Sequence, residues 1–353
     1  LEGRKDYLYA SARFRDGLEQ VKRVVHFGGH TTIGDMAVPL VDLEREWPQL
    51  LDVIEREDTP FRVQMIPRAL ARGGSIGRES EQLARVGGLI DRNTHRLQFQ
   101  NGVKLFTDGG FYAELMQLQE PGFIDGHHGE WLTPPEIVEG LAREFWNAGY
   151  RIHVHCTGDL GVELALEILE KLQFERPRFN HRFTIEHFGV STPEQVRRIA
   201  DLGLVLTTHT NRYIHKQSHI MLEELGAERE DDIVPIRRLR EHGVHVSLAT
   251  DNVPSSLWYP VWQSIARENL HTGTRIGIGQ ALSREDALRC ATNEGAWLSF
   301  EENGKGSIEA GKLADLVVLS NDPLTCPEDE IKDIVAETTI GGGHVVYERD
   351  VTP

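Results

Sequence analysis

Two hydrophobic periods alternate along the 353-residue chain. Stretches such as "PPEIVEGLAREFWNAG", "LGVELALEILEKL", "TPEQVRRIADL" and "DIVPIRRLREH" set apolar residues three and four apart, the spacing of amphipathic helices. "RFRDGLEQVKRVVHFG" and "LVDLEREWPQLLDVIERED" do the same nearer the start. Short runs rich in β-branched residues fall between and after them. These are "HTTIGDM" (30–36), "PFRVQMI" (60–66), "GVKLFTDGG" (102–110), "YRIHVHCTGD" (150–159), "RFTIEHFG" (182–189), "GLVLTTHT" (203–210) and "GVHVSLATD" (243–251). Gly149, Gly203 and Gly243 stand where a helix would stop before the next strand.

Runs such as "LVLTT" and "VHVSLAT" are apolar at nearly every position, as in strands covered on both faces. Seven strands alternating with helices predict an α/β fold with a parallel sheet. The regular repetition favours a TIM-type (β/α)8 barrel over an open doubly wound sheet. No GxGxxG run follows any strand, which counts against a dinucleotide-binding domain. The last fifty residues differ. "GSIEAGKLADLVVLSNDP" (306–323) and "IVAETTIGGGHVVYERD" (334–350) are short β runs joined by Gly-rich turns, and they predict a small separate sheet.

Composition narrows the partners. Hydrophobic residues make up 39% and charged residues 26%, a normal balance for a folded domain, and the formal net charge is −17. That acidity disfavours nucleic acid and anionic membranes, whose phosphates call for Lys and Arg; it is read as a solubility feature. No apolar run approaches the roughly 18 residues of a membrane span, and no basic-then-apolar leader opens the chain. The chain begins at Leu1 without a methionine, which leaves room for upstream sequence. Cys156, Cys290 and Cys326 are widely spaced and odd in number, so a reducing, cytoplasmic setting is expected.

In a β/α barrel the reacting groups sit where strands run into loops. At those ends the chain places Lys104, His155, His187, His209 and Asp251, with His153 two residues before His155 on the same side of its strand. Imidazoles and a carboxylate are ligands for zinc and similar divalent ions. His155, His187 and Asp251 are read as ligands, with Asp251 also the base that takes a proton from water. His153 and His209 are candidates for substrate contact or for supporting the ligands. A lone strand-end histidine is more often a hydrogen-bonded structural residue, but three strand ends carrying His, His and Asp in one chain make coincidence a poor account. His26 and His30 are read as structural, Asp108 and Asp159 as turn residues, and Cys156 as a buried thiol.

Several segments resemble the amidohydrolase superfamily, in particular its branch of YtcJ-like proteins and N-substituted formamide deformylases. "GHTTIGDM" is similar to the second-strand segment, "HVHCTGD" to the fifth-strand motif at His155, "IEHFG" to the sixth-strand ligand at His187, and "ATDNVP" to the eighth-strand aspartate at Asp251. "GSIEAGKLADLVVL" resembles the tail that joins a small β-sandwich. "VKLFTDGG" resembles the segment whose lysine, here Lys104, is carbamylated and bridges two metals; the plain alternative is a lysine paired with a carboxylate such as Asp108. The resemblance implies one or two divalent ions, zinc above all, and hydrolysis of a non-peptide amide-type C–N bond in a small molecule. One departure stands out. No His-x-His motif precedes residue 153, so the visible strands correspond to strands two to eight, with residues 1–303 forming the barrel and 304–353 the sandwich strands. The gap is then expected to be closed by an N-terminal segment or by a second copy in a homo-oligomer. Two alternatives remain: an inactive or incomplete fragment with a binding or structural role, and an aldolase-like barrel in which Lys104 forms a Schiff base, against which the His and Asp ends count.

Overall fold

The computed structural model describes residues 10–39, 42–59, 61–70, 79–251 and 256–349. Strands β1 (Thr32–Val38), β2 (Arg62–Pro67) and β3 (Leu97–Phe99) form one parallel sheet. Strands β4 (Gly102–Phe106), β5 (Arg151–Cys156), β6 (Thr184–His187), β7 (Val205–Thr208) and β8 (His245–Leu248) form a second, also parallel and in sequence order. The two join where Arg68 bridges to Lys104 and the Ala69 N–H donates to the Lys104 carbonyl at 3.0 Å. β3 and β4 are two halves of one bent strand: the first pairs with β2 and the second with β5, with Gln100 and Asn101 at the bend. Among the described residues, β1 and β8 bond to no strand beyond these. The predicted runs fall on β1, β2 and β4 to β8, and β3 was not foreseen.

Strand alternation sorts the side chains into two environments. Val103, Leu105, Ile152, Val154, Ile185, Leu206 and Val246 are buried in the large apolar cluster shared with the helices. Each such burial contributes roughly 1.5–3 kcal/mol. The alternate positions carry Lys104, His153, His155, Thr184, Glu186, Thr207 and Ser247. The parallel register sets Lys104 beside His153 and Thr184, and His155 beside Glu186 and Thr207. The face turned away from the helices is therefore polar, and burying it demands hydrogen-bonded or charged partners.

The helices take their ends from local chemistry. Helix Pro193–Leu202 starts with a capping box: the Thr192 hydroxyl accepts from the Gln195 N–H while the Gln195 side chain accepts from the Thr192 N–H. It stops at Gly203, whose φ of 67° favours glycine. Thr192→Ala is expected to cost about 1 kcal/mol, read as a lower urea midpoint at unchanged slope.

A second apolar cluster, including Val25, Trp47, Leu50, Ile54, Met65 and Phe99, lies under helices Ser11–Gly28 and Leu43–Ile54. Beside it the antiparallel strands β9 (Leu316–Leu319), β10 (Ala336–Gly341) and β11 (His344–Glu348) form the small sheet expected of the tail. The Arg62–Asp315 ion pair at 2.9 Å ties it to β2. Among the described residues, no helix is long and apolar enough to cross a membrane.

Candidate metal centre

Three imidazoles and a carboxylate gather where β5 to β8 end. The ring centroids of His155 and His187 are 4.0 Å apart, and those of His187 and His209 are 4.3 Å apart. The Nδ1 atoms of His187 and His209 face each other at 3.0 Å, and His209 Nδ1 lies 3.6 Å from Asp251 Oδ2. Donor atoms of His187, His209 and Asp251 all lie within 4.8 Å of one another, close enough to share one ion. His155 flanks this trio, and its buried Nε2 has no hydrogen-bond partner.

The backbone makes this convergence possible. Alternation would turn His187 to the helix side with Ile185. Instead His187 and Phe188 adopt φ values of 80° and 48°, and His187 swings toward His155 and His209. Asp251 also has a left-handed φ, 55°. Non-glycine residues in this region are uncommon and carry a strain of about 1–3 kcal/mol each, which persists where surrounding bonds fix it. Here the Phe188 N–H donates to the Cys156 carbonyl and the Gly189 N–H to the Thr157 carbonyl, both at 3.0 Å.

Burial pushes the imidazoles of His155 and His187 well below their ordinary range, and pushes His209 down to about 4. All three are neutral at physiological pH, the form that binds metals. Neutral rings, a nearby carboxylate and a buried, partnerless His155 nitrogen together fit a divalent ion of the zinc type.

Lys104 stands apart from this trio. Its ammonium is 3.0 Å from Glu186 Oε2, while Glu186 Oε1 is 2.7 Å from His153 Nδ1. All three side chains are buried. Burial pushes the Glu186 carboxyl up, but the Lys104 charge and the His153 bond outweigh it and bring the group down to about 2. Lys104 therefore has a carboxylate partner, but Glu186 fills that place rather than Asp108. The Asp108 carboxylate instead accepts from the N–H groups of Gln117, Thr157 and Gly158 at 2.9–3.0 Å and from the hydroxyls of Thr107 and Thr157. It pins the loop after β4 to the start of helix Asp159–Glu175. Asp159 continues the tether, accepting from Gln119 N–H at 2.8 Å and pairing with Arg229 at 2.7 Å. Cys156 is buried beside the Thr107 hydroxyl, and burial raises its thiol, which suits packing and not attack.

Two residues at the site had no place in the sequence reading. Glu186 was legible in principle, since alternation puts it on the Lys104 side of the sheet. Arg212 was not. It lies on the π-helical turn Asn211–Lys216 directly after His209, with its Nη2 3.4 Å from Asp251 Oδ2 and its guanidinium 5.2 Å from the Tyr112 ring centre. Asn252, Val253 and Pro254, part of the "ATDNVP" segment, lie outside the described residues.

A parallel α/β wall with its polar groups at the strand ends and a small antiparallel sheet beside it defines a fold of the TIM-barrel type. The chain belongs to the amidohydrolase family, whose model matches residues 8–347. It is 26% identical over 250 residues to the N-substituted formamide deformylase of Arthrobacter pascens, covering 70% of this chain and 45% of that protein. It is 23% identical over 331 residues to YtcJ of Bacillus subtilis, covering 91% and 58%. The chain thus spans about half the length of these curated relatives. Among solved structures it resembles a metal-dependent hydrolase from Pyrococcus horikoshii, with a TM-score of 0.70, 20% identity and coverage of 90% of this chain and 62% of that one. It also resembles atrazine chlorohydrolase TrzN from Arthrobacter aurescens in complex with zinc, with a TM-score of 0.59, 16% identity and coverage of 96% and 73%. At these identities the structural likeness concerns the fold.

Proposed function

We propose that this protein is a metal-dependent hydrolase that cleaves a non-peptide, amide-type C–N bond in a small molecule. The observation that carries this reading is the convergence of neutral His187 and His209 with Asp251 beside the partnerless Nε2 of His155. We assign His187, His209 and Asp251 as ligands of one zinc-like ion, with His155 at its open side. A bound ion would lower the pKa of water and polarise the scissile carbonyl. Asp251 takes the proton as the water oxygen bonds to the carbonyl carbon. It returns that proton to the nitrogen as the C–N bond breaks. The apolar wall behind β5 to β7 keeps bulk water from the inner side.

A bridging, carbamylated Lys104 would require its amine to leave Glu186 and add CO₂. As placed, Lys104 serves as the counter-ion of Glu186, so we favour a single ion. That same pairing favours a second reading, a module that binds without turnover. The likeness to the formamide deformylase supports the hydrolytic reading.

The test is metal analysis of the purified protein together with hydrolysis of a panel of N-formyl and N-acyl amides. Near one equivalent of zinc or a similar ion is expected, with a rate that dipicolinate lowers by at least about hundredfold and added zinc restores. Folded, zinc-supplemented protein that cleaves nothing in the panel sinks the hydrolase and leaves the binding module.

A further inference from the structure

We infer that Tyr112 sets the substrate class of this centre: its ring receives a flat aromatic group, so that the substrate is an amide with an aryl ring near the scissile bond. The inference rests on the hydrolytic reading for the amide and its bond; the ring subsite itself stands on Tyr112 and the loop that carries it.

Tyr112 lies on the short 3₁₀ turn Phe111–Ala113, in the loop after β4. Three ties fix that turn. Phe111 is buried and stacks on Phe123, with ring centres 5.8 Å apart. The Glu114 N–H donates to the Phe111 carbonyl at 2.7 Å, and the Gly109 N–H to the Leu115 carbonyl at 3.0 Å. Asp108 accepts from the Gln117 N–H at 3.0 Å, which ties the stretch beyond the turn back to the end of β4. The ring therefore rides on a fixed backbone.

The place of the ring points to the candidate centre. The Arg212 guanidinium lies 5.2 Å from the ring centre, and the same guanidinium reaches Asp251 Oδ2 at 3.4 Å. One side chain thus separates Tyr112 from the carboxylate assigned to the reacting water. On another side, a Cβ at Gly110 would stand 3.1 Å from Tyr112 Cε1, so the glycine lets that edge of the ring settle over the backbone. With both supports in place the residue is still 68% exposed. Single exposed apolar residues are ordinary on a protein surface. A planar one, held still at the rim of a buried polar centre, is placed to meet what enters it.

The chemistry of the ring selects its guest. Aromatic rings meet in offset stacks or edge to face, and this attraction adds to what the buried area alone supplies. A substrate aryl group is therefore favoured on Tyr112 over an aliphatic group of equal bulk. Because the turn is already tied down, little freedom is lost when the guest arrives. The recognition belongs to the ring and not to the hydroxyl, so phenylalanine serves at this position as well as tyrosine.

The test is calorimetric binding of two ketones, 4-phenylbutan-2-one and 4-cyclohexylbutan-2-one, to the zinc-supplemented protein. Each carries a carbonyl but no C–N bond. The cyclohexyl compound has more apolar surface, so burial alone favours it. The wild type is expected to bind the phenyl ketone more tightly by about two- to tenfold, the usual worth of an aromatic pair. Tyr112→Phe is expected to keep that preference. Tyr112→Leu, apolar but not planar, and Tyr112→Ala are expected to abolish or reverse it; the leucine variant keeps the comparison readable where alanine loosens the turn. A wild type that binds both ketones equally, prefers the cyclohexyl compound or binds neither overturns the inference. So does a phenyl preference that survives in Tyr112→Leu, or one that is lost in Tyr112→Phe. Because no bond is cleaved, a failure of hydrolysis across the amide panel removes the amide from the inference and leaves the ring subsite readable.

Discussion

Asp251→Asn is expected to lower kcat/KM by about 10²–10⁴-fold, the range associated with losing a positioned proton acceptor. Asparagine keeps the shape of the side chain and can still bond to Arg212 or His209, so the fold should survive, as checked by unchanged circular dichroism. What it lacks is a negative charge and a site for a proton. Both matter here, because His209 Nδ1 at 3.6 Å and Arg212 Nη2 at 3.4 Å approach the same carboxylate oxygen. With three neutral imidazoles around it, Asp251 is the sole anion within the candidate ligand trio. Its removal leaves a divalent ion without formal charge compensation, so zinc retention is expected to fall along with the rate. Measured together, zinc stoichiometry and kcat/KM separate the two roles. Zinc kept with the rate lost marks Asp251 chiefly as the base, and loss of both marks it as a ligand. A variant that keeps both zinc and a rate within about tenfold of wild type would remove Asp251 from the assignment.

Much of the architecture was legible because it follows from periodicity and from terminators. Gly149, Gly203 and Gly243 mark helix ends in the sequence, and each has the positive φ that this placement requires: 87°, 67° and 77°. The strand runs of β4 to β8 were legible because most of their helix-facing positions are apolar. β3 escaped because three residues carry no measurable period, and helix Trp258–Ala266 because eight of its nine residues are buried, which leaves no polar face to reveal one. In these two cases the local pattern is too short or too uniform to select a structure.

At the candidate centre the limit is different. Strand-end logic names His155, His187, His209 and Asp251 but does not say which of them meet. A strictly alternating β6 would separate His187 from Glu186, one to each side of the sheet. The left-handed backbone at His187 and Phe188 lets both act toward the same end, and no glycine announces it. Chain order therefore ranked His155 as a ligand and His209 as an accessory, whereas the geometry sets His209 within the compact trio and His155 at its flank. Arg212 was hidden for a related reason, since a π-helical turn has no sequence period of its own.

The floor beneath that centre is where stability is most exposed. Glu186→Gln is expected to destabilise the fold by about 3–5 kcal/mol, the usual result of breaking a buried ion pair from one side. The change barely alters volume, so packing is not the cause. Glu186 holds Lys104 at 3.0 Å and His153 at 2.7 Å, all three buried, and glutamine leaves an ammonium without a counter-ion. Adding Lys104→Met should recover much of the loss, because removing both charges also removes the desolvation they carry. Denaturant titration of both single variants and of the double variant reads this directly, and a double-variant loss equal to the sum of the two single losses would show that the pair is not coupled. The pH dependence has a definite sign. A carboxyl depressed in the fold contributes its stability above the unfolded value of about 4.3 and loses it as pH falls toward the folded value of about 2. Wild-type stability should therefore decline through that acid window, and Glu186→Gln should decline less steeply there, having no carboxylate at this position to protonate.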